Sequence, residues 1–232
     1  MNARRLAGMA EIAVAAVLWA ALVTGSAVIA LTVPVYTSAM TQALGVPATA
    51  GLSATDVVRL SAQVRALVAD DEYEPLPAVW AGRPAFDEAA VSHLLDVRRV
   101  IALGRFATGI AALLLATYVA FCVGKRRVQV LGAGMRAGAA VCGLLVALGV
   151  IAATADFSAF FAAFHGLFFA SGTWTFPSDS LLIRLFPERF WIASGAAWAV
   201  LLSLGAAVLL ACPVVLRRAE ARLNASRTAN NV

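Results

Sequence analysis

A chain of 232 residues that is 62% hydrophobic and only 13% charged, with a net charge of +5, has too few polar side chains to clothe a water-soluble domain of its size. Its long charge-free runs instead mark an integral membrane protein. The positive charge reads as an orientation signal and gives no ground for a nucleic-acid partner.

Crossing a hydrocarbon layer of roughly 30 Å takes about 20 apolar residues in a helix. Four stretches reach that length, at about 12–33, 106–123, 137–155 and 192–215. Helices are expected because lipid offers no partner to free backbone groups, and the alternation of barrel strands is missing. Arg4 and Arg5, ahead of the first stretch, would also suit a secretory signal. A signal core holds only about 7–15 apolar residues, so this longer run is expected to be a retained span.

After the first span, SATDVVRLSAQVRALVAD brings Val57, Leu60, Val64, Leu67 and Val68 to one helical face, with Ser53 or Thr55 as its cap. The spacing predicts an amphipathic helix, either lying on the membrane surface or forming part of a small cap. Beyond the breakers of EPLPAVWAGRP, FDEAAVSHLLDVRRVIALGRF begins another helix. Asp87 and Glu88 suit its first turn, and it is expected to run straight into the second span. GKRRVQVLGAGMRAG is a short basic connection to the third span. The segment from Asp156 to Trp191 then holds nine of the twelve phenylalanines, more rings than lipid contact requires. The fourth span ends in a polar tail, ARLNASRTANNV, which is expected to be mobile. Cys122, Cys142 and Cys212 fall singly in the last three spans, as small apolar residues rather than a disulfide or CxxC pair.

Basic residues set the orientation. Arg4, Arg5, Lys125, Arg126, Arg127, Arg136, Arg217, Arg218, Arg222 and Arg227 flank the spans on one side, where Glu11 and Glu220 are the accompanying acids. That side is expected to be cytoplasmic, with both termini on it. The acids of segments 37–98 and 156–191, among them Asp70, Asp71, Glu72, Glu74, Asp96, Asp156 and Asp179, then lie outside. These are the long loops, and function is expected there.

The topology brings both histidines of the chain, His93 and His165, to that outer face. A polar ring among phenylalanines needs a partner and tends to mark function. Several chemistries would use the pair. A haem between two histidines is one, although such ligands usually sit on facing helices of a bundle. A metal site is another, with Asp96, Asp156 or Asp179 as further ligands. A third is acid–base catalysis, since imidazole titrates near neutral pH. In a non-catalytic reading His93 is an interfacial residue bonded to Asp96 or water, and the rings are interfacial anchors.

The run FHGLFFASGTWTFPSDSLLIRLFPERFW, with FDEAAVSHLLDVRRV upstream, resembles the two signature blocks of the lipoprotein intramolecular transacylase family of bacterial membrane proteins. Its specific part is the pairing of an HxxDV block before the second span with FHxxFF, LIRxFP and FW elements after the third. The resemblance implies an all-α membrane protein with four transmembrane helices and a small extracytoplasmic helical cap, in the bacterial cytoplasmic membrane. It implies that the sn-2 acyl chain of a diacylated lipoprotein moves to the α-amine of its N-terminal cysteine, giving a lyso-form lipoprotein. No cofactor is implied, and the partners are the diacylated lipoprotein and membrane lipids. The family's catalytic histidines fall on His93 and His165. Asp96 is positioned to orient His93, with Asp156 and Asp179 as further supports. Phe160, Phe161, Phe164, Phe168, Trp174 and Trp191 are expected to hold acyl chains and exclude water. Residues 40–84 match little of the family and are expected to select lipoproteins. Arg98, Arg99 and Arg184 are expected to pair with external acids more than to bind lipid phosphate. The alternatives are a membrane protein that binds lipid or lipoprotein without chemistry, and an acyl hydrolase or intermolecular acyltransferase using the same histidines.

Overall fold

The computed structural model describes residues 3–229. In chain order its elements are α1 (Ala3–Leu31), α2 (Pro34–Ala43), α3 (Val46–Ala50), α4 (Ala54–Ala69), β1 (Val79–Trp80), β2 (Arg83–Pro84), α5 (Glu88–Gly124), α6 (Val128–Ala155), α7 (Phe157–Gly166), α8 (Leu181–Leu185) and α9 (Glu188–Ala229). Four helices, α1, α5, α6 and α9, contain segments long and apolar enough to cross a membrane. The protein is an all-α, multi-pass membrane protein with four such helices. Helix α9 continues through most of the polar tail, to Ala229. The tail's last residues, 230–232, lie outside the described residues.

The chain divides into two compact units. The first draws on residues 1–26, 107–148 and 199–232. Water cannot drive helices together in lipid, so close packing and polar contacts must do so. Small residues provide the packing: a Cβ on Gly134 would stand 2.8 Å from the Ala15 Cβ, and one on Gly138 would stand 2.7 Å from the Trp19 Cβ. Cys122, Leu131, Met135, Ala139 and Leu209 fill the core of this unit, and Cys122 and Cys142 are buried free thiols. The polar contacts centre on Glu11, whose carboxylate accepts from Arg127 at 2.7 Å and from the Tyr118 hydroxyl at 3.2 Å.

The second unit draws on residues 27–106 and 149–198 and contains both histidines. Helix α4 starts where Ser53 Oγ accepts from the Asp56 N–H at 3.0 Å and donates to the Asp56 carboxylate at 2.7 Å. It buries Val57, Leu60, Val64 and Leu67, four of the five apolar positions that its periodicity aligns, while Val68 is half-buried. Its far end is held by cations. Arg98 donates to the carbonyls of Leu67 and Asp70 at 2.8 and 2.5 Å, Arg105 donates to Ala69 O at 2.6 Å, and Arg65 forks onto the Asp70 carboxylate. These donors satisfy carbonyls that the helix itself leaves open and complement its negative end. The Arg65 fork also holds the Asp70 carboxyl below the usual carboxylate range.

EPLPAVWAGRP, read from sequence as a run of breakers, closes into a tight ribbon in which Val79 pairs with Pro84 and Trp80 with Arg83. Ala81 and Gly82 turn it with left-handed φ values of 51° and 75°. Trp80 carries the Arg59 guanidinium 5.2 Å from its ring centre, which ties the ribbon to α4. Helix α5 begins where the Asp87 carboxylate accepts from the Ala90 N–H at 2.8 Å, and it runs unbroken for 37 residues. At a rise of about 1.5 Å per residue it outruns a hydrocarbon layer of roughly 30 Å. Phe86, just before α5, and Ala90 and Leu94 in its first turns join Leu60, Leu67 and the Leu181–Phe190 stretch of α8 and α9 in one buried core.

Leu60 is fully buried in that core, so Leu60→Ala is expected to cost about 2–5 kcal/mol. A clear fall in the thermal midpoint in detergent, against little change for the exposed Leu113→Ala, is the expected result.

Candidate active site

His93 stands near the start of α5, on the face that carries Ala90 and Leu94 into the core, and is 8% exposed. His165 stands in the last turn of α7 and is also 8% exposed. Helix α7 is started by Asp156, whose carboxylate accepts from the Ala159 N–H at 3.0 Å. The two imidazoles face each other at 30°, with ring centres 6.2 Å apart.

Rings wall the pair. Phe161, one turn before His165, lies 4.0 Å from its ring centre, and Trp174 lies 4.8 Å from it. Phe164 meets His165 edge-on at 5.7 Å. Phe176 lies 5.6 Å from His93, and Phe169 touches both imidazoles, 4.9 Å from His93 and 5.7 Å from His165. The approach of Trp174 depends on the chain reversal before it. There the Thr173 N–H bonds Ala170 O at 3.2 Å, Thr173 Oγ1 adds a second bond to the same oxygen, and Gly172 takes a left-handed φ of 84°.

The hydrogen bonding of His165 fixes its chemistry. Nδ1 lies 2.8 Å from the Phe161 carbonyl, which can only accept, so Nδ1 carries the proton. In the neutral ring the lone pair is then on Nε2. Burial pushes this imidazole below its ordinary value of 6.5, while the bond to Phe161 works in the opposite direction. His93 Nδ1 is buried and has no hydrogen-bond partner among the described residues.

The other expected residues divide. Phe161, Phe164 and Trp174 contact an imidazole directly. Trp191 and Phe168 touch rings that do so, Trp191 through Phe161 and Phe168 through Phe164 and Phe169, and Phe160 packs on Phe157. None of the three aspartates hydrogen-bonds an imidazole among the described residues. Asp96 pairs with Arg99 at 2.9 Å, one turn further along α5, because an unlike charge at that spacing is the nearer partner. Asp156 is spent on the cap of α7, and Asp179 lies exposed in the turn before α8. No group of three or more His, Cys, Asp or Glu side chains converges as a metal would require among the described residues. Arg98 and Arg184 give donors to backbone carbonyls, Arg184 to that of Ala50.

The sequence matches the family "Lipoprotein intramolecular transacylase Lit" over residues 12–191. The chain belongs to the Lit family. It is accordingly an acyltransferase of the membrane, a lipoprotein intramolecular transacylase. The fold agrees with solved structures of Lit from Bacillus cereus. One superposes with a TM-score of 0.80 at 14% identity, covering 93% of this chain and 98% of that one. Two variants of that Lit, with a histidine replaced by arginine or by alanine, superpose at 0.76 and 15% identity. The arginine variant covers 94% of this chain and 96% of its own, the alanine variant 94% and 97%. No curated protein matches by sequence.

Phe169 and Phe176 touch the histidines but stand apart from the rings singled out by sequence. Phe169 was within reach of the pattern, because Phe161, His165 and Phe169 are spaced i, i+4, i+8 and its N–H continues the helix by bonding His165 O at 2.9 Å. Phe176 lies beyond the Gly172 turn, and no local spacing reports where the chain returns.

The direction of the His165 shift yields a pH dependence. Because the folded value lies below the unfolded one, the unfolded chain binds the extra proton between the two. The stability of the neutral, buried ring is complete above 6.5 and is lost as the pH falls below it. Melting temperatures measured across mildly acidic pH should decline, and the decline should be shallower in His165→Gln. An identical slope in the variant assigns the effect to other groups.

Proposed function

We propose that His93 and His165 transfer the sn-2 acyl chain of a thioether-linked diacylglyceryl group to the α-amine of the lipoprotein's N-terminal cysteine, giving the lyso-form lipoprotein. The observation that carries this reading is the buried imidazole pair, 6.2 Å between ring centres and walled by aromatic rings. An α-amine titrates near about 8, so at neutral pH most of it first gives one proton to solvent; the neutral amine must still lose a second as it bonds the ester carbon, and that loss needs a base. His165 fills that role through Nε2, whose lone pair is left free by the Nδ1 bond to Phe161.

The amine nitrogen bonds the ester carbonyl carbon, and its surplus proton passes to His165 Nε2. The oxyanion of the tetrahedral adduct takes a hydrogen bond from His93. As the adduct collapses, the bond from carbon to the glyceryl oxygen breaks and that oxygen receives the proton held by His165. An amide and an alcohol replace an amine and an ester, and neither water nor cofactor enters the balance. Donor and acceptor belong to one molecule, so folding it into a reactive conformation supplies much of the rate. Phe160, Phe161, Phe164, Phe168, Trp174 and Trp191 line the path of the acyl chains in this reading. Asp156 contributes by capping the helix that carries His165, and Asp96 and Asp179 contribute through the local fold.

The test is mass spectrometry of the N-terminal peptide of a defined diacylated lipoprotein after incubation with purified protein. Unchanged total mass with one acyl group moved to the amine is expected, falling by about 10²–10⁴-fold in His93→Ala and His165→Ala. No relocation by folded protein favours lipid binding, and loss of an acyl mass favours a hydrolase.

The proposed setting is the bacterial cytoplasmic membrane, with spans at about 12–33, 106–123, 137–155 and 192–215 and both termini cytoplasmic. Segments 37–98 and 156–191, with the histidines, are then extracytoplasmic. The basic run Lys125–Arg127 supports this orientation. A membrane-impermeant thiol reagent is expected to label Ser178→Cys in intact cells and Lys125→Cys only after lysis; the reverse pattern inverts the topology.

A further inference from the structure

Phe169 is the one ring, among the described residues, that touches both imidazoles. It meets His93 edge-on at 71° and 4.9 Å, and His165 at 41° and 5.7 Å, beside an imidazole separation of 6.2 Å. Its backbone is fixed by the 2.9 Å bond of its N–H to His165 O. The ring is half-buried and takes no part in the buried core of its unit, whereas Phe176, on His93, packs against that core. Phe169 therefore contributes to the surroundings of the histidines far more than to the stability of the fold.

Two facing imidazoles are a good site for a water molecule, which needs two or more polar partners to be held. An imidazole base does not distinguish the proton of an amine from that of water. Water held between the rings and beside an ester would be activated by the same nitrogen. Its oxygen would bond the acyl carbon, the bond to the glyceryl oxygen would break, and the displaced proton would pass through His165 to that oxygen. The products would be a free fatty acid and a lipoprotein with its amine still unacylated. A ring in contact with both imidazoles takes up the volume such a water needs.

We propose that Phe169 is the residue that keeps the reaction a transfer, closing the imidazole pair to water so that the substrate's own amine is the nucleophile. This rests on the function proposed above. It concerns how the acyl group is partitioned rather than how fast it leaves the ester, and a merely structural role would alter only the rate.

The experiment incubates full-length wild type, Phe169→Ala and Phe169→Leu with a defined diacylated lipoprotein in heavy-oxygen water. The ratio of labelled free fatty acid to N-acylated peptide is read by mass spectrometry. Phe169→Ala is expected to raise that ratio several-fold, and Phe169→Leu, which keeps apolar volume, is expected to hold it near wild type. Phe169→Val serves for the smaller side chain if the alanine variant does not purify folded. Slower turnover at an unchanged ratio, or a rise as large in Phe169→Leu, overturns the proposal. If wild type gives no N-acylated peptide, the proposed transfer reaction fails and this inference with it; transfer by wild type with an unchanged ratio in the variants removes this inference alone.

Discussion

An imidazole taken out of water is steadied by a partner for its N–H, and at His165 that partner is the Phe161 carbonyl, 2.8 Å from Nδ1. That bond stays within α7, four residues back along the helix, so the ring's orientation is set by the same turn that delivers it. Phe161 thus orients His165 with its backbone and covers it with its side chain, whose centre lies 4.0 Å from the imidazole. The cap at Asp156 fixes where the helix starts, and so which residues fall in its final turn. Much of the site follows from these ten residues and their register.

His93 is held differently. It lies on a long helix whose first turns enter an apolar core, and the same helix reaches back through Arg98 and Arg105 to the carbonyl end of α4. A guanidinium between two helices fixes rotation as well as separation, because its donors must meet carbonyls at defined positions. One histidine is therefore set by its local hydrogen bonding, the other by the packing and clamping of its helix.

The membrane helices, the amphipathic α4 and the uninterrupted α5 were legible in the sequence because each rests on a periodicity of apolar residues longer than its ends are uncertain. Ser53 and Asp87 announced two helix starts by residue type alone. The convergence of His93 and His165 was legible from topology, since an even number of crossings returns the chain to one side. What sequence did not convey was the choice among competing partners. Asp96 has His93 three residues before it and Arg99 three residues after, and the guanidinium takes the carboxylate. Asp156 reads equally as a charge near a histidine and as a cap, and the cap is what the structure shows. Trp174 and Phe176 meet different histidines although two residues apart, beyond a turn in which Gly172 takes a left-handed φ. Only the folded chain contains that information.

The partner of His165 Nδ1 is a neutral carbonyl and not a carboxylate, and this bears on the lifetime of the proton in the proposed reaction. A buried carboxylate beside an imidazole stabilises the imidazolium and makes it a reluctant acid. A carbonyl steadies the ring without neutralising the charge, so an imidazolium formed here, among rings and with little water, is strained to release it. The most favourable recipient is the alkoxide that appears on the glycerol at the same moment. In the proposed reaction such a site would hold the proton only briefly between its two transfers, and taking up one proton would favour delivering the next.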